Sequence, residues 1–152
     1  MNALTLRPAQ REDLRAIVEM LADDALGGTR EDAGEPLPRA YSDAFAEMAR
    51  DPNNRLLVAE MDGAVVGTLQ VTFIRGLSRR GMRRALIEAV RVASDRRGAG
   101  IGARIVRAAI DLARAEGCGM VQLATDKRRK DAHRFYERLG FTASHEGMKL
   151  ML

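Results

Sequence analysis

Tryptophan is absent, and aromatic residues make up only 4% of this 152-residue chain. Leu, Val, Ile, Ala and Met must therefore fill the core. Single-stranded nucleic acid, which is bound on aromatic stacking platforms, is a poor match to such a composition. A single cysteine, Cys118, excludes an intrachain disulfide framework and a multi-cysteine zinc site. It stands between Gly117 and Gly119 after a helical stretch and reads as a small, partly buried residue rather than a reactive thiol. Two histidines, His133 and His145, are too few for a histidine-based cage, so no metal is expected. No apolar run approaches ~18 residues, and no membrane span is expected. The opening residues enter a strand pattern without the apolar core of a signal peptide, which makes a cytoplasmic protein the expectation.

What is present fits one domain over residues 1–152, since a chain of this length buries a core without staples. The net charge is only +4, but it is unevenly spread. Residues 19–35 hold six acids against Arg30, a net of −5, and residues 75–107 hold ten arginines against Glu88 and Asp95, a net of +8. A basic centre suits a phosphate-rich partner and an acidic segment a cationic one, although a solvated face accounts for most such charges.

Hydrophobic periodicity orders the elements. Residues 4–7 alternate and stop at Pro8, a first strand. Residues 10–24 are helical, with Leu14, Ile17, Val18 and Leu21 on one face. A second helix spans 41–50, with Phe45 and Met48 inward. Strands at 55–60 and 64–74 flank Asp62-Gly63, a strong hairpin signal. A basic loop at 75–84 leads to a strand at 85–93, a helix at 100–116, a strand at 120–124 and a helix at 130–139 ended by Gly140. Residues 141–144 and 148–152 read as the last strands. The pattern predicts an α/β (α+β) fold: a mixed, mostly antiparallel twisted sheet of six or seven strands flanked by about four helices.

The most informative stretch is Arg97-Gly98-Ala99-Gly100-Ile101-Gly102-Ala103, where a strand passes through a polar turn into a helix. Glycines let a ligand approach the backbone, and the first helical N–H groups lack internal partners. With the positive end of the helix dipole and the adjacent Arg96 and Arg97, they form an anion site. A Walker A loop is excluded, because no Gly-Lys-Ser/Thr follows. Gly98, Gly100 and Ala103 do satisfy a dinucleotide fingerprint, and Asp126 stands where its ribose-binding acid would be. Four polar residues before Gly98, and the short stretch after Asp126, argue against that fold.

The stretch Arg97 to Gly102 resembles the Arg/Gln-x-x-Gly-x-Gly/Ala signature of the GNAT superfamily of N-acetyltransferases. The resemblance runs upstream through 87–92, and downstream through Ala132-His133-Arg134-Phe135-Tyr136-Glu137-Arg138-Leu139-Gly140-Phe141, similar to the family's Ala-x-x-Phe-Tyr-x-x-x-Gly-Phe segment. It implies an acetyl-CoA-dependent N-acetyltransferase in which a primary amine, on a small molecule, attacks the thioester directly. A protein lysine or N-terminal acetyltransferase and a non-catalytic acyl-CoA or nucleic-acid binding module are the alternatives.

The same resemblance implies that Arg97, Gly98, Ala99, Gly100, Ile101, Gly102 and Ala103 bind the coenzyme A pyrophosphate. It implies too that Val90, Arg91 and Val92 run beside the pantetheine arm, and that Ala132, Phe135 and Tyr136 complete the cofactor site. Arg91 itself reads as a solvated side chain. Tyr136 is the implied proton donor to the departing sulfur, a phenol being protonated at neutral pH; periodicity alone makes it a core residue, with Ala132, Phe135 and Leu139 on one stripe. Glu88, the one acid in an apolar strand, is the candidate general base, and an ion pair with a nearby arginine is the other reading. Strict alternation puts Glu88 on the face of Val90 and Val92, and a β-bulge would re-aim it. Arg129 stands where many relatives carry an asparagine, and His133 reads as a surface helix residue. Relatives often pair through their C-terminal strands, so a homodimer belongs to the same set of implications. The acceptor site is expected around residues 24–45 and 75–84, with the acidic run drawing the amine and the arginines an acidic group.

Overall fold

A computed structural model describes residues 2–152. The elements run β1 (Thr5–Pro8), α1 (Leu14–Ala22), α2 (Arg39–Ala49), β2 (Asn54–Met61), β3 (Ala64–Arg75), the one-turn α3 (Ser78–Gly81), β4 (Arg83–Val92), α4 (Ile101–Ala115), β5 (Met120–Leu123) and α5 (Lys130–Arg138). The chain divides into two compact units, one ending at Gln122 and the other spanning Leu123–Leu152.

The sheet has five strands in the order β1-β2-β3-β4-β5, and the pairings of β1 to β4 are antiparallel. Asp62 and Gly63 take positive φ (54° and 77°), the conformation a two-residue hairpin needs, and join β2 to β3. Helix α4 makes the crossover from β4 to β5. The central strand β3 has Val66, Leu69, Val71 and Phe73 buried, and Ile87, Ile105 and Val106 share that core. Among the described residues no helix is long and apolar enough to cross a membrane, and no group of three or more His, Cys, Asp or Glu is placed to hold a metal ion.

The strands expected at 141–144 and 148–152 do not form, so among the described residues the sheet has five strands rather than six or seven. A strand exists only when a neighbour takes its backbone hydrogen bonds, and among the described residues those after Phe141 make no backbone–backbone bond. The first helix is shorter than periodicity predicts, because Arg11–Asp13 form a 3₁₀ turn before it.

That turn is fixed by Asp13, which is 8% exposed. Its carboxylate accepts from the Gln10 N–H at 2.7 Å and from both terminal nitrogens of Arg7 at 2.8 and 3.1 Å. Arg7 Nε donates in turn to Glu60 at 2.8 Å, so one guanidinium ties β1 to β2 and to the start of α1. The Arg7 hydrogen bonds hold the Asp13 carboxyl below its usual range. A depressed carboxylate stabilises the fold above its unfolded pKa of about 4 and loses that contribution as pH falls through the lower folded value. Arg7→Ala is therefore expected to cost about 1–3 kcal/mol at neutral pH. The gap to the native chain should narrow as urea denaturation is repeated below pH about 4; a gap constant down to low pH would assign the loss to packing instead.

Candidate functional site

Strand β4 is interrupted where the chemistry is expected. Thr68 pairs with Arg91 and Gln70 with Glu88, so two steps along β3 face three along β4. Ala89 absorbs the extra residue at φ 54°, a left-handed conformation that costs a non-glycine residue about 1–2 kcal/mol. This is the bulge that would free Glu88 from strict alternation. Glu88 and Ala89 are both exposed, and Ala89 and Val90 stand outside the β3 register, which leaves main chain available to a ligand strand. Glu88 forms no ion pair among the described residues, which removes the arginine-partner reading of its place in the strand.

Arg91 differs from expectation. It is not solvated: its guanidinium donates to the Val90 carbonyl at 2.9 Å and lies 3.5 Å from Asp24, with the side chain largely buried. Arg97 reaches back in the same manner, donating to the Val92 carbonyl at 3.3 Å and to the Asp23 carbonyl and carboxylate at 3.2 and 3.3 Å. Both arginines thus tie the end of α1 to the end of β4. The expected role of the acidic run weakens for the same reason. Asp23 and Asp24 are held by Arg97 and Arg91, Glu19 and Glu35 by Arg15, and Glu31 by Arg30, so little of its charge is left to draw a cationic substrate.

Beyond β4, Ser94–Arg96 make a single 3₁₀ turn and the chain enters α4 through two left-handed glycines, Gly98 at φ 81° and Gly100 at φ 75°. A Cβ built at either meets nothing within 4 Å. No side chain caps the helix and no acid occupies its first turn, so the N–H groups of Ile101, Gly102 and Ala103 lack helical partners beside the open space at Gly98 and Gly100. Ile101 and Ile105 anchor the helix from below, fully buried. Residues 97–103 and 88–92 therefore lie on two consecutive elements of one unit, an anion-binding helix start beside a bulged strand. An anionic group on a thin arm fits them.

In the second unit, Ala132, Phe135 and Tyr136 are half-buried on α5. The Tyr136 ring packs edge-on against Phe135 and Phe141, with centroids 5.0 and 5.8 Å apart. Gly140 ends the helix at φ 98°, and the Phe141 N–H returns to the Tyr136 carbonyl at 3.1 Å. His133 is half-buried rather than on the surface, and its Nε2 is enclosed without a hydrogen bond. Asp126 is taken by Arg128, which holds its carboxyl well below the usual range; it is not presented to a ribose. Burial pushes the Cys118 thiol up, as befits an inert residue.

A sequence model of the Acetyltransferase (GNAT) family matches residues 15–141. Aminoalkylphosphonate N-acetyltransferase of Salmonella typhimurium is 35% identical over 107 residues, 70% of this chain and 69% of that one. Glucosamine 6-phosphate N-acetyltransferase of Trypanosoma brucei brucei is 28% identical over 151 residues, 98% of this chain and 96% of that one. Among solved structures, a transcriptional regulator from Bacillus halodurans C-125 superposes with a TM-score of 0.95 at 51% identity, covering 99% of this chain and 100% of that one.

Gly100→Ala places a methyl group where an anion would approach and strains the left-handed turn. Affinity for coenzyme A, measured by calorimetry, should fall about ten-fold or more. Gly117→Ala is the control: Gly117 has φ 76° and open space at the other end of α4, so it carries the same backbone strain and should leave affinity unchanged.

Proposed function

Because the chain belongs to the GNAT acetyltransferase family, we propose that it transfers the acetyl group of acetyl-CoA to the primary amine of a small molecule. It is an acyltransferase. The observation that carries the proposal is the uncapped start of α4, with its two left-handed glycines, beside the bulge of β4. Small-molecule acceptors are supported by the two N-acetyltransferases above, whose names give an aminophosphonate and an amino-sugar phosphate.

The N–H groups of residues 98–103 would hold the pyrophosphate, and main chain at Val90 to Val92 the pantetheine arm. Bound there, acetyl-CoA supplies an activated acyl carbon. Glu88, directly or through a water, takes the proton from the substrate ammonium, since only the neutral amine is a nucleophile. A backbone N–H near Val92 donates to the oxygen on which negative charge develops. The family resemblance implies that Tyr136 Oη would donate a proton to the leaving sulfur. Ala132 and Phe135 form the rest of that face of α5.

The Bacillus halodurans relative, described as a transcriptional regulator, favours a second reading in which the basic segment binds nucleic acid. The pairing of Arg83, Arg91, Arg96 and Arg97 with carboxylates leaves that segment less basic than its sequence implies.

We also propose that the chain works as a homodimer. Met148, Leu150, Met151 and Leu152 are 85–115% exposed in a segment that makes no backbone–backbone hydrogen bond. Apolar side chains exposed in this way favour burial against a partner, and a second copy carries the same tail to exchange. Light scattering should give twice the chain mass, and deletion of residues 145–152 should return the monomer. A monomeric full-length chain would overturn this reading.

Thiol release from acetyl-CoA across a panel of amines tests the activity. Glu88→Gln should lower kcat/KM about a hundred-fold or more, and Tyr136→Phe should lower kcat by a similar factor, coenzyme A affinity holding in both. Unchanged turnover in either variant would remove that residue from the mechanism.

A further inference from the structure

The turn between β3 and β4 is the most strained segment outside the elements just described. Arg79 (φ 54°, ψ 38°), Arg80 (φ 60°, ψ 44°) and Gly81 (φ 74°) are consecutive left-handed residues, two of them with long side chains. That conformation is unfavourable for both arginines, whose Cβ crowds the following carbonyl. Local bonds hold it: Gly81 N–H to the Leu77 carbonyl at 2.9 Å, Met82 N–H to the Ser78 carbonyl at 3.3 Å, and Arg75 Nη1 to the Gly81 carbonyl at 2.7 Å. Met82 then packs on Gly119, where an added Cβ would come within 2.9 Å of its methyl, and the Gly119 N–H donates to the Arg83 carbonyl at 2.8 Å. The turn is therefore pinned to the start of β5.

Between them lies a cavity of about 280 Å³ lined by Ser78, Arg79, Met82, Arg84, Met120 and Gln122. No carboxylate lines it. Arg79 and Arg84 form no ion pair among the described residues, whereas Arg83, Arg91, Arg96 and Arg97 of the same basic segment are all paired. Two guanidiniums, a hydroxyl and a side-chain amide around one small cavity supply more donors than a carboxylate has oxygens to accept. A tetrahedral oxyanion uses them, and the planar guanidinium fork matches it in geometry. Of the strained residues Arg79 lines the cavity, and backbone strain of this kind clusters at ligand sites.

We propose that this cavity is the specificity subsite for the acceptor, taking a phosphoryl or phosphonyl group on the amine to be acetylated. Arg84 and Glu88 lie on one face of β4 before the bulge, roughly 13 Å apart at the strand's usual rise. An arginine and a glutamate side chain reaching inward from those positions leave room for a short amine that carries its anion a few bonds from the nitrogen. The assignment rests on the acetyl-transfer reading for its connection to Glu88, but not for the oxyanion site itself.

The test uses two probes on the full chain. Inorganic phosphate is titrated calorimetrically into the wild type, Arg79→Gln, Arg84→Gln and Arg84→Lys. Thiol release is followed with ethanolamine phosphate and with ethanolamine as acceptors. Phosphate should bind the wild type, lose about ten- to a hundred-fold in affinity in each glutamine variant, and recover in part with lysine. The preference for ethanolamine phosphate over ethanolamine should fall by a similar factor in the same variants. Phosphate binding that ignores both substitutions, or an equal loss on the two amines, overturns the subsite. Absence of turnover with either amine would count against the acetyl-transfer reading alone, and phosphate binding would then decide the subsite by itself. Matching thermal melts confirm that the variants are folded.

Discussion

Helix α4 lies directly on the sheet at Gly67, where no side chain intervenes. A Cβ there would stand 2.4 Å from the Ile105 methyl and 3.0 Å from the Arg91 carbonyl. Ile105 is fully buried and has nowhere to retreat, and the carbonyl belongs to the strand itself. Gly67 pairs with Val92, the last residue of β4. The contact thus sets the height of α4 above the sheet at the point where β4 gives way to the Gly98–Gly100 turn. The position of the uncapped N–H groups relative to the bulge follows from it. A larger residue would move the anion site away from the strand that serves it, besides straining the core.

Charge is arranged around that contact in two ways. Asp23 and Asp24, at the end of α1, bind Arg97 and Arg91. These pairs neutralise arginines that flank the helix start, so the dipole and the backbone N–H groups rather than side chains present the local positive field. The β3–β4 turn does the opposite, holding Arg79 and Arg84 at a cavity without acids. One basic stretch of sequence is thereby divided between fastening the fold and receiving an anion.

Much of the fold was legible because its signals are local. The Asp62-Gly63 turn, the periodicity of α4 and Gly140 after α5 fix conformation within a few residues, and each is present as expected. The glycines at 98 and 100 likewise carry their meaning in sequence, since glycine is the residue that adopts left-handed backbone and lets a ligand approach a helix start. Local signals fail at strands. Residues 141–152 have a strand's composition, but a strand is a relation between two segments, and propensity does not contain the partner. The side-chain surroundings of Arg91 were illegible for the same reason. Asp24 lies 67 positions away, and nothing near Arg91 marks it as buried.

The residue order alone determined the element sequence as far as α5, the glycine-rich start of α4 and the family to which these motifs point, because turns, caps and periodicity act over short distances. Tertiary structure decided the rest. It placed the bulge at Ala89, which depends on the register between β3 and β4. It chose which arginines are paired, which depends on what folds against them. It also fixed Arg79 and Arg80 in a left-handed turn that no propensity favours: local bonds close the turn, and Met82 packs it onto Gly119 at the start of β5, a contact that exists only once the two segments are brought together.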